Sequence, residues 1–253
     1  MTTLVPVALQ SEPFYPSADG EPVAETYDHL YALLTTLEVI KQYLAGRQAT
    51  VLGDQFLYYA QGFPKLRVAP DVMVIFDVAP GGRDNYKIWE EGQVPTVIFE
   101  MTSEGTKDQD QVFKKTLYEQ LGVQEYWLFD PKGEWIKEKL RGYRLRGETY
   151  EQIQEIRSEV LQLRLQVEGK LISFYREDTG EKLLMPEELA QALQQEVLAR
   201  QQAEEQVEQE RQRAEQECQR AEQERQRAEQ AELQVEQLKA QLRTLVVDPN
   251  SVE

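Results

Sequence analysis

Residues 68–78, VAPDVMVIFDV, and residues 94–131, VPTVIFEMTSEGTKDQDQVFKKTLYEQLGVQEYWLFDP, carry most of what the chain says about its fold. The first reads as a strand from Asp71 to Val78, rich in β-branched and apolar residues and entered through Pro70. The second begins with a strand from Thr96 to Thr102. It continues into a helix from Asp108 to Leu121, which Gly122 stops, and ends in a strand from Tyr126 to Phe129. Upstream, Glu25 to Leu44 places Leu30, Leu33, Leu34, Leu37, Ile40 and Leu44 on one helical face, after an Asp19-Gly20 turn. Short strands follow at Ala49 to Leu52 and Gln55 to Tyr59. Downstream, Tyr143 to Leu145 and Thr149 to Ile153 flank a turn, and alternating leucines from Leu161 precede a strand at Leu171 to Tyr175. These elements predict a mixed α/β domain around a central sheet, distinct from a doubly wound one. Neither GxGxxG nor GxxxxGK[ST] occurs, so no nucleotide cradle is signalled.

Two acids interrupt the most apolar strands, Asp71 at the opening of DVMVIFDV and Glu100 inside VPTVIFEMTS. Burying a charge in such a strand is costly unless it is paired or binds a cation. Either residue alone is accounted for by a strand end that meets solvent. Together on adjacent strands they form a hard-oxygen site suited to Mg²⁺. Asp110, Lys114 and Tyr118 recur every four residues on the following helix and so share a face, which can turn Lys114 toward the two acids. The simpler reading of Lys114 is a solvated pair with Asp110.

Composition narrows the chemistry. Among 253 residues there are one His and one Cys, which excludes an intramolecular disulfide, a Cys-rich zinc site and any multi-histidine metal centre. The start of the chain lacks the basic and apolar regions of a secretory signal, and no apolar run approaches the roughly 20 residues that span a bilayer. A soluble, cytoplasmic protein without membrane attachment is expected. A net charge of −17 disfavours non-specific attraction to nucleic acid, so a DNA-binding role needs a local concentration of cations.

Complexity drops at Pro186. From there onward 16 acidic residues face 8 basic ones, and ERQRAEQ at Glu210, ECQRAEQ at Glu217 and ERQRAEQ at Glu224 repeat every seven residues. Pro186 with Glu187 and Glu188 marks a helix start, and nothing breaks the pattern before Asp248 and Pro249. Val207, Ala214, Ala221, Ala228, Val235 and Leu242 form a heptad seam whose partner positions are Glu until Ala231, Leu238 and Leu245. Either a solvated single helix or a coiled coil joining subunits fits this pattern. The expected organisation is a domain over 1–185, a long charged helix over 186–246 and a flexible tail over 247–253.

The two quoted stretches, extended back to Tyr86, resemble the Uma-two type of restriction endonuclease domain, a bacterial family abundant in cyanobacteria within the PD-(D/E)XK nuclease superfamily. The resemblance runs from about Pro16 to Glu188. It rests on Pro70-Asp71, Glu100 before Ser103, the Asp110, Lys114, Tyr118 series, and Gly122-Val123 followed by Glu125-Tyr126-Trp127. It implies a restriction-endonuclease-like mixed sheet flanked by helices, a cytoplasmic Mg²⁺-dependent phosphodiesterase that also accepts Mn²⁺, and DNA as substrate. Asp71 and Glu100 would ligate the metal, and Lys114 would act near the attacking water. Glu25 stands where many superfamily members carry a first-helix acid, making it a further metal or water ligand, with His29 one turn later as a structural hydrogen-bonder. The superfamily Lys two residues after the second acid is Thr102 here, and Lys114 is its natural substitute.

Lys132, Lys137, Lys139, Arg141, Arg144 and Arg146 fall within fifteen residues and form the best candidate phosphate-binding patch, with Lys137, Lys139, Arg141 and Arg144 as substrate contacts. A solvated hairpin face accounts for them equally well. The loop from Pro80 to Pro95 either contacts substrate or caps the core. Two functions follow: a metal-dependent endonuclease, or a catalytically inactive nuclease-derived scaffold that forms homo-oligomers through its C-terminal helix.

Overall fold

The computed structural model describes residues 13–18, 20 and 25–246, with side-chain burial given as far as Arg243. The first twelve residues, the Asp19 half of the expected turn and the 247–253 tail lie outside the described residues. The chain divides into two units between Leu189 and Ala190.

Helix α1 (Tyr27–Tyr43) is entered through Thr26, whose hydroxyl accepts the His29 N–H at 3.4 Å as a helix cap. Along the chain follow β1 (Ala49–Gly53), β2 (Leu57–Tyr58), β3 (Arg67–Val68), β4 (Val72–Phe76), β5 (Tyr86–Lys87), the short α2 (Ile88–Glu91) and β6 (Val97–Met101). A π-helical segment, Gln109–Lys114, then runs into α3 (Lys115–Leu121). The remaining elements are β7 (Glu125–Phe129), β8 (Leu140–Arg146), β9 (Thr149–Gln152), β10 (Arg157–Ser158), β11 (Leu163–Glu168), β12 (Leu171–Arg176) and α4 (Pro186–Val246).

The main sheet has the order β1-β4-β6-β7-β8-β9 and is mixed: β6 and β7 run parallel, joined by the helical segment, and the other neighbours are antiparallel. Gly122 ends α3 in the left-handed region at φ 84°, which lets the chain turn directly into β7. Gly142 on β8 lies opposite Trp127 on β7. A Cβ there would sit 2.5 Å from the indole ring, so only glycine lets the two strands pair.

Strand alternation sends the apolar residues into two cores. Val72, Val74, Val97, Phe99, Met101, Trp127 and Phe129 face α1, β11 and β12. Met73, Ile75, Ile98, Tyr126 and Leu128 face Tyr118 of α3 and the small β3-β2-β5 sheet. The mixed α/β class with a central sheet and a long C-terminal helix is therefore present. One expectation needs correction. Leu30 and Leu34 of α1 are each 46% exposed, and the inward face is His29, Ala32, Leu33, Thr36, Val39 and Ile40. Leu33, Ile40 and Leu44 of the expected face are buried, and a small rotation of the helix brings His29, Thr35 and Thr36 inward in place of Leu30 and Leu34.

The Pro80 to Pro95 segment holds β5 and α2. It is pinned by Arg83, whose guanidinium binds the Glu91 carboxylate at 2.9 and 3.1 Å and the carbonyls of Ala79 and Gly81. With Tyr86 fully buried, this loop caps the core.

Helix α4 has 61 residues, with Glu187 and Glu188 in its first turn. Every side chain from Ala190 to Arg243 is exposed, and intrahelical pairs such as Arg200 with Glu204 at 3.0 Å line it. Among the described residues no helix is long and apolar enough to cross a membrane.

Candidate active site

The register Val72↔Phe99 between β4 and β6 sets Asp71 beside Glu100 at the end of the strand pair. Glu100 lies on the same face of β6 as Ile98, the face that α3 covers. Its carboxylate is enclosed, at 1% exposure. It accepts the Tyr118 hydroxyl at 2.8 Å on Oε1 and the Lys114 ammonium at 2.8 Å on Oε2. The backbone N–H of Asp71 donates to Glu100 Oε2 at 3.4 Å, and the N–H of Met101 donates to Asp71 Oδ2 at 2.5 Å.

The π-helical turn carries Asp110 and Lys114 inward together, and Lys114 Nζ lies 3.1 Å from Asp110 Oδ1. π-helical turns recur at functional sites, where they offset one turn from the next. The solvated Asp110–Lys114 pair that surface spacing suggests is instead a buried one. Three acids, Asp71, Glu100 and Asp110, surround one ammonium.

The electrostatics follow from that imbalance. Burial pushes Glu100 up to about 8. Lys114 opposes the rise, while Asp71 and Asp110 add to it. Burial also raises Asp110 against the pull of Lys114. Burial would lower the Lys114 ammonium, but Glu100, Asp110 and Asp71 outweigh it and hold the proton more firmly than usual. The cluster sets three carboxyl groups against one ammonium, and the rise in Glu100 and Asp110 follows from that.

His29 Nε2 lies 3.5 Å from Asp71 Oδ1, and His29 Nδ1 lies 3.6 Å from Glu25 Oε2. Burial tends to lower this imidazole, but Asp71, then Glu25 and Glu100, raise it on balance. Glu25 thus meets the cluster through His29. Among the described residues no three His, Cys, Asp or Glu side chains are spaced to hold an ion. A metal here would take Asp71 and Glu100 as its protein carboxylates, with water or backbone oxygen completing the shell. All-oxygen donors and a surplus of carboxyl groups over ammonium groups fit Mg²⁺ or Mn²⁺.

The structure brings Asp71, Glu100 and Lys114 together and leaves Glu25 one imidazole away. It does not gather the basic patch into a free cationic surface. Arg144 Nε donates at 3.0 Å to Glu125, which is 0% exposed, and Arg144 Nη1 donates at 2.7 Å to Glu159. Arg141 pairs with Glu138 at 2.6 Å, Arg146 with Glu159 at 3.2 Å, and Lys139 donates to the Gly169 carbonyl at 3.1 Å. Lys137 is exposed. Arg144 is a structural counter-ion, because β7–β8 pairing sets it opposite Glu125. Sequence reasoning left Tyr118 and Asp110 outside the candidate site. Both carry a signal, the four-residue spacing to Lys114.

Residues 6–172 match the Uma2 family, described as "Putative restriction endonuclease". Among solved structures, the chain is similar to a protein of Anabaena variabilis ATCC 29413 described as "a putative nuclease belonging to DUF820". The identity is 18% and the TM-score 0.38, over 56% of this chain and 77% of that one. No curated protein matches the chain.

Proposed function

The chain belongs to the Uma2 restriction endonuclease family, and from that membership we propose that it is a metal-dependent DNA endonuclease using Mg²⁺ or Mn²⁺. The observation that carries this reading is the pairing of Asp71 with Glu100 in a cluster of three carboxyl groups around the single ammonium of Lys114. Asp71 and Glu100 would hold the ion. When bound, the ion supplies positive charge that polarises a phosphoryl oxygen and a water. Lys114, fixed between Glu100 and Asp110, orients Glu100 and opposes the effect of burial on it, and Tyr118 fixes its second oxygen. His29 steadies Asp71, and Glu25 steadies His29. In place of the expected four-residue patch, exposed Lys137 is the remaining phosphate contact from that set.

Supercoiled plasmid and single-stranded circular DNA, incubated with Mg²⁺ or Mn²⁺, test this reading. The wild type should cleave and Glu100→Ala should not. Equal cleavage by both eliminates the catalytic assignment.

A second reading, an inactive scaffold that assembles through α4, draws on a different observation. Both oxygens of Glu100 already have protein partners, so the cluster holds together without a metal. Under either reading α4 would join copies of the chain through Val235, Leu238 and Leu242, which are 48%, 58% and 60% exposed.

A further inference from the structure

Residues 55–70 lead through β2 and β3 to the residue before Asp71 and contain no acid, although 45 of the chain's 253 residues are Asp or Glu. The stretch carries Lys65 and Arg67, and so is cationic within a chain whose net charge is −17. In the turn between β2 and β3, Phe63 is 63% exposed and Leu66 is exposed as well. A single exposed apolar side chain is ordinary, but these two flank the exposed Lys65 and form a patch with it. Lys65 has no acidic partner among the described residues.

The turn is held by its own backbone. The Phe63 N–H donates to the Ala60 carbonyl at 3.3 Å, and the Leu66 N–H to the Phe63 carbonyl at 2.9 Å. The Gly62 N–H donates to the Tyr15 hydroxyl at 2.6 Å. Arg67 Nη1 donates to the Pro64 carbonyl at 3.3 Å, and the guanidinium lies 4.2 Å over the Phe56 ring. The small sheet that contains β2 and β3 covers the same face of the main sheet as Tyr118 of α3. The acid cluster lies where the two meet, because Asp71 follows β3 and its partner Glu100 bonds to Lys114 and Tyr118. On the helical side Val112 and Phe113, next to Lys114, are exposed too.

We propose that this turn binds an unpaired base of single-stranded DNA beside the scissile phosphate, with Phe63 stacked on the base and Lys65 meeting the neighbouring phosphate. Its place beside a scissile phosphate rests on the endonuclease reading above. An unpaired strand alternates apolar base faces with phosphate charge, which is the pattern that an exposed ring two residues from a free ammonium matches. In a duplex the base faces are stacked against one another and are out of reach of Phe63. A second copy of this chain is the competing occupant, and particle mass tells the two apart.

The test uses the full chain with a fluorescein-labelled DNA single strand and its duplex. Anisotropy in Ca²⁺ measures binding by wild type, Phe63→Ser, Phe63→Tyr and Lys65→Ala, and cleavage of the same DNA in Mg²⁺ is compared for wild type and Glu100→Ala. Wild type should favour the single strand. Phe63→Ser should weaken single-strand binding about ten-fold and duplex binding by less than about two-fold, and Phe63→Tyr should stay within about two-fold of wild type on both. Lys65→Ala should reduce the slope of log K against log salt on the single strand by about 0.7. Unchanged single-strand affinity in Phe63→Ser, an equal loss on both forms of DNA, an equal loss in Phe63→Tyr, an unchanged salt slope in Lys65→Ala, or a smaller particle mass of Phe63→Ser in light scattering overturns this proposal and leaves the endonuclease reading intact. The expected binding pattern without cleavage by wild type, or with equal cleavage by Glu100→Ala, overturns the endonuclease reading and leaves a single-strand-binding surface. A wild type that binds neither form overturns both.

Discussion

Asp71 and Glu100 are each tied to the other's strand: the Asp71 carboxylate accepts the N–H of Met101 at 2.5 Å, and the Glu100 carboxylate accepts the N–H of Asp71 at 3.4 Å. Two acids 29 residues apart are thereby fixed side by side before any ion arrives. Such prior fixing is what a preorganised metal site requires.

Holding Glu100 ionised costs folding stability. Its folded value of about 8 lies above the ordinary 4.5, so between those values the folded chain keeps a proton that the unfolded chain releases. Stability contributed by this group is therefore full below about pH 4.5 and declines as pH rises to 8. Thermal melts of metal-free protein should show that decline, and Glu100→Gln should flatten it, raising Tm at pH 8 by about 5 °C. Identical pH profiles for the two proteins would contradict the assignment.

Lys114 is the one ammonium touching Glu100 and Asp110 among the described residues. Removing it in Lys114→Met should cost about 3–5 kcal/mol at pH 8, as for other buried pairs broken from one side. The loss should shrink near pH 5, well below the value of about 8 at which Glu100 takes up its proton. Urea unfolding at both pH values measures the difference.

Arg144 serves the fold more than the substrate. Arg144→Ala strands the buried Glu125 and should destabilise the protein by about 3–5 kcal/mol in urea. Lys137→Ala should leave the urea midpoint unchanged and weaken DNA binding in a salt-dependent way.

Assembly through α4 predicts that Leu238→Glu combined with Leu242→Glu reduces the particle mass seen by light scattering to that of one chain. These positions lie on the apolar end of the seam and are exposed in the single chain, so the folded domain should melt as before.

What the sequence discloses about this protein depends on how local each signal is. A charge inside an apolar strand is visible at once, which makes Asp71 and Glu100 stand out, and the four-residue spacing points Lys114 and Tyr118 in one direction. The π-helical turn at Gln109–Lys114 leaves no such trace, because an inserted residue alters the hydrogen-bond ladder and not the composition. The fate of Arg144 is also hidden. Its partner Glu125 lies 19 residues away, and only the β7–β8 register makes them neighbours. Leu30 and Leu34 mislead for the opposite reason: their periodicity is sound, but a small rotation of α1 favours His29 and Thr36 for the interior.

The joint holding of one divalent ion by Asp71 and Glu100 is the centre of the account, and anomalous scattering from crystals soaked in Mn²⁺ reports on it most directly. A single manganese peak within coordination distance of both carboxylates, absent from Asp71→Asn crystals, is the predicted result. Manganese bound elsewhere, or a peak that survives Asp71→Asn undiminished, would contradict it.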